Sequence, residues 1–251
     1  GTFMAKSGNY KFNTEFVGKT DSRIRSSQDL TLNMLTCNKN SIDDKLILKT
    51  TKKINTANSN ALLDLVKGTF VVEIGDGGEV ELTANKTLTI PGEACLSIVS
   101  GKAKVATGGN ATGISLKGKI QISGGELIVG TGESASKYNS IQYTADGKPT
   151  IEISGGTLNV IGQISRTQNQ TTGSLIWKQY GGDVVVQGRN RGSVLWLTDF
   201  AAFEVLESGE FDMQGGTLTV MNGNGNEGYG DIFIEPDIMN CTGGTIIVGG
   251  G

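Results

Sequence analysis

Ile151-Glu-Ile-Ser-Gly-Gly-Thr-Leu-Asn-Val160 reads as two short strands turning on a pair of glycines. Apolar and polar residues alternate on both sides of the pair, which is the period of a half-buried strand; a helix would need a period of about 3.6. Glycine permits the positive φ that a sharp bend between two such strands requires. The same phrase is written at Ile120 to Val129, Trp177 to Val186, Phe211 to Val220 and Met239 to Val248, with the first glycine at 124, 155, 181, 215 and 243. Intervals of roughly 26 to 34 residues suit one coil per repeat, with loops of variable length between coils.

Two or three strands per coil close one rung. Ile120/Ile122, Ile151/Ile153, Trp177/Gln179, Phe211/Met213 and Met239/Cys241 stand before the glycines in equivalent positions. Leu127/Val129, Leu158/Val160, Val184/Val186, Leu218/Val220 and Ile246/Val248 stand after them. These columns are expected to face inward and stack, because one coil cannot bury its apolar face alone and a neighbour about 4.8 Å away covers it. Gln179 is the polar member of the inward columns, placed to cap a buried carbonyl or pair with a neighbouring rung. Trp177 reads as core.

The repeat is fainter in the N-terminal half. Thr31 to Leu35, Lys45 to Leu48, Gly68 to Ile74, Val80 to Leu82, Leu88 to Ile90, Leu96 to Val99 and Ile114 to Leu116 read as strands. Gly75 to Gly78 and Pro91-Gly92 read as turns. Asn60 to Lys67 fits either a short helix capped by Asn60 or a further strand. The expected fold is all-β, a right-handed parallel β-helix of roughly eight to ten coils running through residues 1–251 as a single segment, an excerpt of a longer chain.

Composition agrees. The 251 residues hold 38 glycines and 3 prolines, a profile of many short strands and tight turns. A net charge of −3, from 22 Lys+Arg against 25 Asp+Glu, gives no electrostatic footprint for nucleic acid. No apolar run is long enough to span a membrane, and no export signal is visible. Cys37, Cys95 and Cys241 read as small stacked hydrophobes in preference to a disulfide or metal site.

Ile90-Pro-Gly-Glu-Ala-Cys-Leu-Ser-Ile98, then Gly113-Ile-Ser-Leu-Lys-Gly118 and Ile120 to Val129, resemble a module of very large surface and secreted β-helix proteins of Bacteroidetes. Trp177-Lys-Gln-Tyr-Gly-Gly182 and Met239 to Val248 are similar to it too, and the resemblance covers approximately residues 68 to 251. It implies export by a type IX secretion system, an extracellular or cell-surface location, and a structural or adhesive role with surface glycans or other cell-surface proteins as partners.

The chain has no histidine, which removes Ser-His-Asp and Cys-His nucleophiles and any zinc site built on imidazole. Carboxylates remain as candidates for hydrolase or lyase chemistry: Asp43, Asp44, Asp199, Glu204, Glu207, Asp231, Glu235 and Asp237. Their turn-like or outward positions favour plain solvation. Asn222 to Asp231 places oxygen side chains at alternate positions as a calcium loop would, but with little charge, and reads as a turn. Tyr138, Tyr143, Tyr180, Arg189, Arg191 and Trp196 are the candidates for an aromatic and cationic strip that stacks on sugars. No cofactor, metal or catalytic residue is expected. The function expected is a non-catalytic extracellular scaffold or adhesin segment, with a carbohydrate-binding or polysaccharide-degrading β-helix as the alternative.

Overall fold

A computed structural model describes residues 1–4, 8–75, 77–108, 113–131, 139–167, 170, 172–188, 201–221 and 232–249. Among them there is no helix; strands joined by turns wind into a parallel β-solenoid. One turn stands for the rest. Lys119–Ile122 runs along a first face, Glu126–Val129 along a second and Ser140–Tyr143 along a third, after which Thr150–Ile153 returns to the first. That returning strand lies parallel on the one before it, with Ile120 opposite Ile151 and Ile122 opposite Ile153. The second face repeats the arrangement with Leu127 opposite Leu158 and Val129 opposite Val160.

Parallel pairing on the first face is continuous from Thr2–Met4 to the C-terminal strand Ile238–Val248. Its length falls in the range expected from the repeat. Asn60 to Lys67 forms no helix: Leu63–Ile74 is a strand, because Leu63 and Leu65 alternate inward and stack on Leu35 and Cys37. The expected strand Thr31 to Leu35 is split between Leu30–Leu32 and Leu35–Lys39, which lie on two different faces.

The Gly-Gly pairs stack along one corner, and their two positions exclude side chains for different reasons. The second glycine carries the positive φ, 68° at Gly125, 72° at Gly156 and Gly182, 79° at Gly216 and 89° at Gly244. The first has an ordinary φ, but a Cβ on it would meet the carbonyl of the rung before, 2.8 Å from Ser123 O in the case of Gly155. Rungs this close leave no room for a methyl group between them.

Inside, the predicted columns form one core. Ile120, Ile151, Trp177 and Phe211 are fully buried, as are Leu127, Leu158, Val184 and Leu218. Each aliphatic side chain so buried contributes about 1.5–3 kcal/mol before the entropy of ordering it is subtracted. Trp177 packs edge-on against Phe203, ring centroids 4.8 Å apart. Gln179 is buried among these residues and donates through Nε2 to Gly182 O at 3.3 Å and to Thr217 O, one rung on, at 3.1 Å. It both caps a carbonyl and ties two rungs.

The cysteines part company. Cys37 lies in the core, where burial pushes its thiol up to about 12. Cys95 stands in an outward row between Thr69 and Lys119, buried nonetheless, and Cys241 is exposed on the last strand. Among the described residues that strand has a neighbour on one side only, and Met239, Ile246 and Val248 are exposed although they continue the inward columns.

Candidate functional site

Alternation along each strand sends every second side chain outward, and in-register stacking lines these up in rows parallel to the solenoid axis. On the first face one row reads Gln121, Glu152, Lys178, Asp212, Asn240. Lys119 pairs with Glu152 at 2.8 Å, Gln121 Nε2 donates to the same carboxylate at 2.9 Å, and Lys178 pairs with Glu210 at 3.3 Å. Burial raises the Glu152 carboxyl, but the Lys119 ammonium, Gln121 and Lys178 outweigh it and hold the group below the usual carboxylate range. The bond to Glu210 raises Lys178.

Where this row meets Tyr180, the outward residue just before a glycine pair, a more ordered group forms around Asp212. Asp212 is only 7% exposed. Tyr180 Oη donates to its Oδ2 at 3.3 Å, Gln214 Nε2 reaches Oδ1 at 3.0 Å, and Asn240 Nδ2 reaches Oδ1 at 3.0 Å. Gln214 and Asn240 are exposed, and Tyr180 is 41% exposed. Partial burial raises the Tyr180 phenol, and the Asp212 carboxylate raises it further, so it stays protonated and donating at neutral pH. A carboxylate can only accept, so both amides turn their nitrogens towards it, which leaves Gln214 Oε1 and Asn240 Oδ1 without a hydrogen-bond donor among the described residues.

The second face holds a groove of about 570 Å³ whose lining includes Lys53, Asn55, Glu79, Glu81, Lys104 and Asn159. Glu79 and Glu81 are paired carboxylates two residues apart on the strand Glu79–Thr83. Sequence reading missed them, although alternation about Val80 and Leu82 places both outward. Glu79 is gripped by Lys104 at 2.5 Å and Lys53 at 3.0 Å, which hold it below its ordinary range, and Glu81 accepts the Thr107 hydroxyl. Glycoside hydrolysis needs one carboxyl kept protonated near neutral pH. Cation contacts on Glu79 act in the opposite direction.

Of the sequence-predicted aromatic strip, Tyr180 alone among the described residues is on the surface. Tyr143 is a correction: it is fully buried in the third-face core, its hydroxyl donating to Glu204 O at 3.1 Å, because its strand position continues an inward column between Leu116 and Arg166. Tyr138, Arg189, Arg191 and Trp196 lie outside the described residues, as do Asp199, Asp231 and the Asn222 to Asp231 segment. Asp43, Glu207, Glu235 and Asp237 are exposed in turns or at strand ends, and Asp44 accepts the amide and hydroxyl of Ser41 within its own turn.

Glu204 departs from the expected solvated position. It is fully buried, 3.4 Å from Arg166 Nη1, and accepts the backbone amides of Arg166 at 3.2 Å and Ala201 at 3.1 Å. The register between Ile164–Arg166 and Phe203–Val205 is down to the single pair Ile164–Phe203, and the carboxylate takes up amides that a longer ladder would engage. Among the described residues, no group of three or more His, Cys, Asp or Glu side chains is placed to hold a metal ion.

Comparison of the chain with protein-family models, with curated proteins and with solved structures finds no match.

Proposed function

We propose that this chain is a non-catalytic scaffold or adhesive segment that works outside the cell, its stacked rungs holding a recognition surface at a distance. The observation that supports this most is the pairing of charges across rungs on both strand faces. Lys53 and Lys104 both pair with Glu79, Lys102 pairs with Glu126 at 2.9 Å, Lys119 with Glu152, and Lys178 with Glu210. Acids and bases arranged in this way support stacking, whereas an active site is built from groups that converge on one point and are left to react. The extracellular setting is what the resemblance of residues 68 to 251 implies.

Incubating the purified chain with neutral and acidic polysaccharides, with and without calcium, tests the reading. The expected outcome is neither new reducing ends nor unsaturated uronate absorbance. Turnover that disappears in Glu79→Gln or Glu81→Gln would overturn it and make the second-face groove an active site.

A further inference from the structure

The group around Asp212 is more ordered than a solvated surface requires. Exposed amides ordinarily sample several rotamers, and fixing them costs entropy. Here one nearly buried carboxylate holds three exposed side chains from below: Tyr180 by its hydroxyl, and Gln214 and Asn240 by their amide nitrogens. The surface that results combines an aromatic ring with two carbonyl oxygens from consecutive rungs, about 4.8 Å apart along the axis. A ligand that fits it must offer an apolar patch to the ring and hydroxyl or amide donors to the acceptors. Sugar rings offer both, with a C–H face and equatorial hydroxyls.

The charges around the group narrow the class. Lys178 and Lys119 are engaged by Glu210 and Glu152, and the central carboxylate is itself negative. An acidic glycan would meet repulsion with no open cation in this group to offset it. We propose that Tyr180, Gln214 and Asn240, positioned by Asp212, bind a neutral glycan, one sugar stacking on Tyr180 while hydroxyls of the same or the next sugar donate to Gln214 Oε1 and Asn240 Oδ1. This rests on the reading of the chain as a recognition scaffold and gives that reading a ligand class. Holding the side chains in place before binding removes part of the ordering cost that a flexible surface incurs.

Isothermal titration and amide-resolved NMR of the full chain, with cellohexaose, laminarihexaose, mannohexaose, xylohexaose and hexagalacturonate as probes, test the assignment. Expected is saturable binding of at least one neutral hexasaccharide, with shifts centred on Tyr180, Gln214 and Asn240. Tyr180→Ala should weaken it about tenfold. Tyr180→Phe, which keeps the ring and drops the bond to Asp212, should bind better than Tyr180→Ala. Thermal midpoints report whether each variant folds, and Gln214→Ala, an exposed position, provides a second test if Tyr180→Ala does not fold. The assignment is overturned if no neutral probe binds at millimolar concentration, if both alanine variants bind as the parent does, or if hexagalacturonate is preferred. New reducing ends in the same samples would contradict the non-catalytic reading, while the binding data alone decide this site.

Discussion

Lys39 faces into the solenoid, at the end of the inward series Leu35, Cys37, Lys39, and its ammonium is fully supplied with acceptors. Nζ donates to Val17 O at 3.0 Å, Thr20 O at 2.7 Å and Ser22 Oγ at 3.1 Å. A lysine in a strand pattern reads as an outward residue, so this corner was not legible in the sequence; nor was the burial of Glu204, whose partners are the backbone amides of Arg166 and Ala201 and the Arg166 guanidinium. Glycine was legible, because the demand for it is repeated. Gly156 combines a φ of 72° with a Cβ position 2.5 Å from Gly125 O, whereas Gly18 has a φ of 91° and nothing within 4 Å. Gly18→Ala is expected to cost only the left-handed penalty of about 1–2 kcal/mol. Gly156→Ala should cost clearly more, since two rungs must also separate, and urea unfolding of the two variants gives the order. Equal losses would mean that the stacked corner tolerates a methyl group and that the rungs are not as close as described.

At the scale of strands, inward faces carry the fold and outward faces carry charge. The C-terminal half was readable because one phrase recurs with its apolar columns intact. Residues 1–60 hold no Gly-Gly pair to mark a corner, so Leu30–Leu32 and Leu35–Lys39 merged into one expected strand, and Ser22–Ser26 and Ile54–Thr56 went unrecognised. The Asp212 group was half legible: Tyr180 is marked by its place before a glycine pair, but its partners lie on later rungs and become neighbours through register alone. The charged rows have a consequence for acid stability. Glu79 and Glu152 are held below the ordinary carboxylate range, so their contribution is complete above the unfolded value of about 4.3 and is lost as pH falls through the lower folded values. Both are partly exposed, so each contact is worth about 0.2–1 kcal/mol. The urea midpoint should therefore fall on acidification below about pH 4.3, and the Glu79→Gln, Glu152→Gln double variant should lose less over the same interval. A double variant with the parent's full acid loss would place the effect elsewhere.

The whole molecule is a stack in which each rung is covered by its neighbours, so its stability is close to a sum of rung and nearest-neighbour terms. Every feature assigned above, the glycine corner, the charged rows and the Asp212 group, depends on parallel, in-register stacking, since a slip of one residue would exchange inward and outward faces. Disulfide trapping reads that register directly. Asn159 on Thr157–Val160 lies opposite Val185 on the next second-face strand, and Val185 lies opposite Thr219 on the one after. In a background with Cys37, Cys95 and Cys241 replaced by serine and the fold retained, Asn159→Cys with Val185→Cys puts two cysteines at the strand spacing of about 4.8 Å, inside the range a disulfide spans. Asn159→Cys with Thr219→Cys puts them twice as far apart, beyond the limit of about 7 Å. Rapid oxidation of the first pair and none of the second is the predicted result; oxidation of the second pair, or failure of the first in a folded protein, would contradict the stacked solenoid.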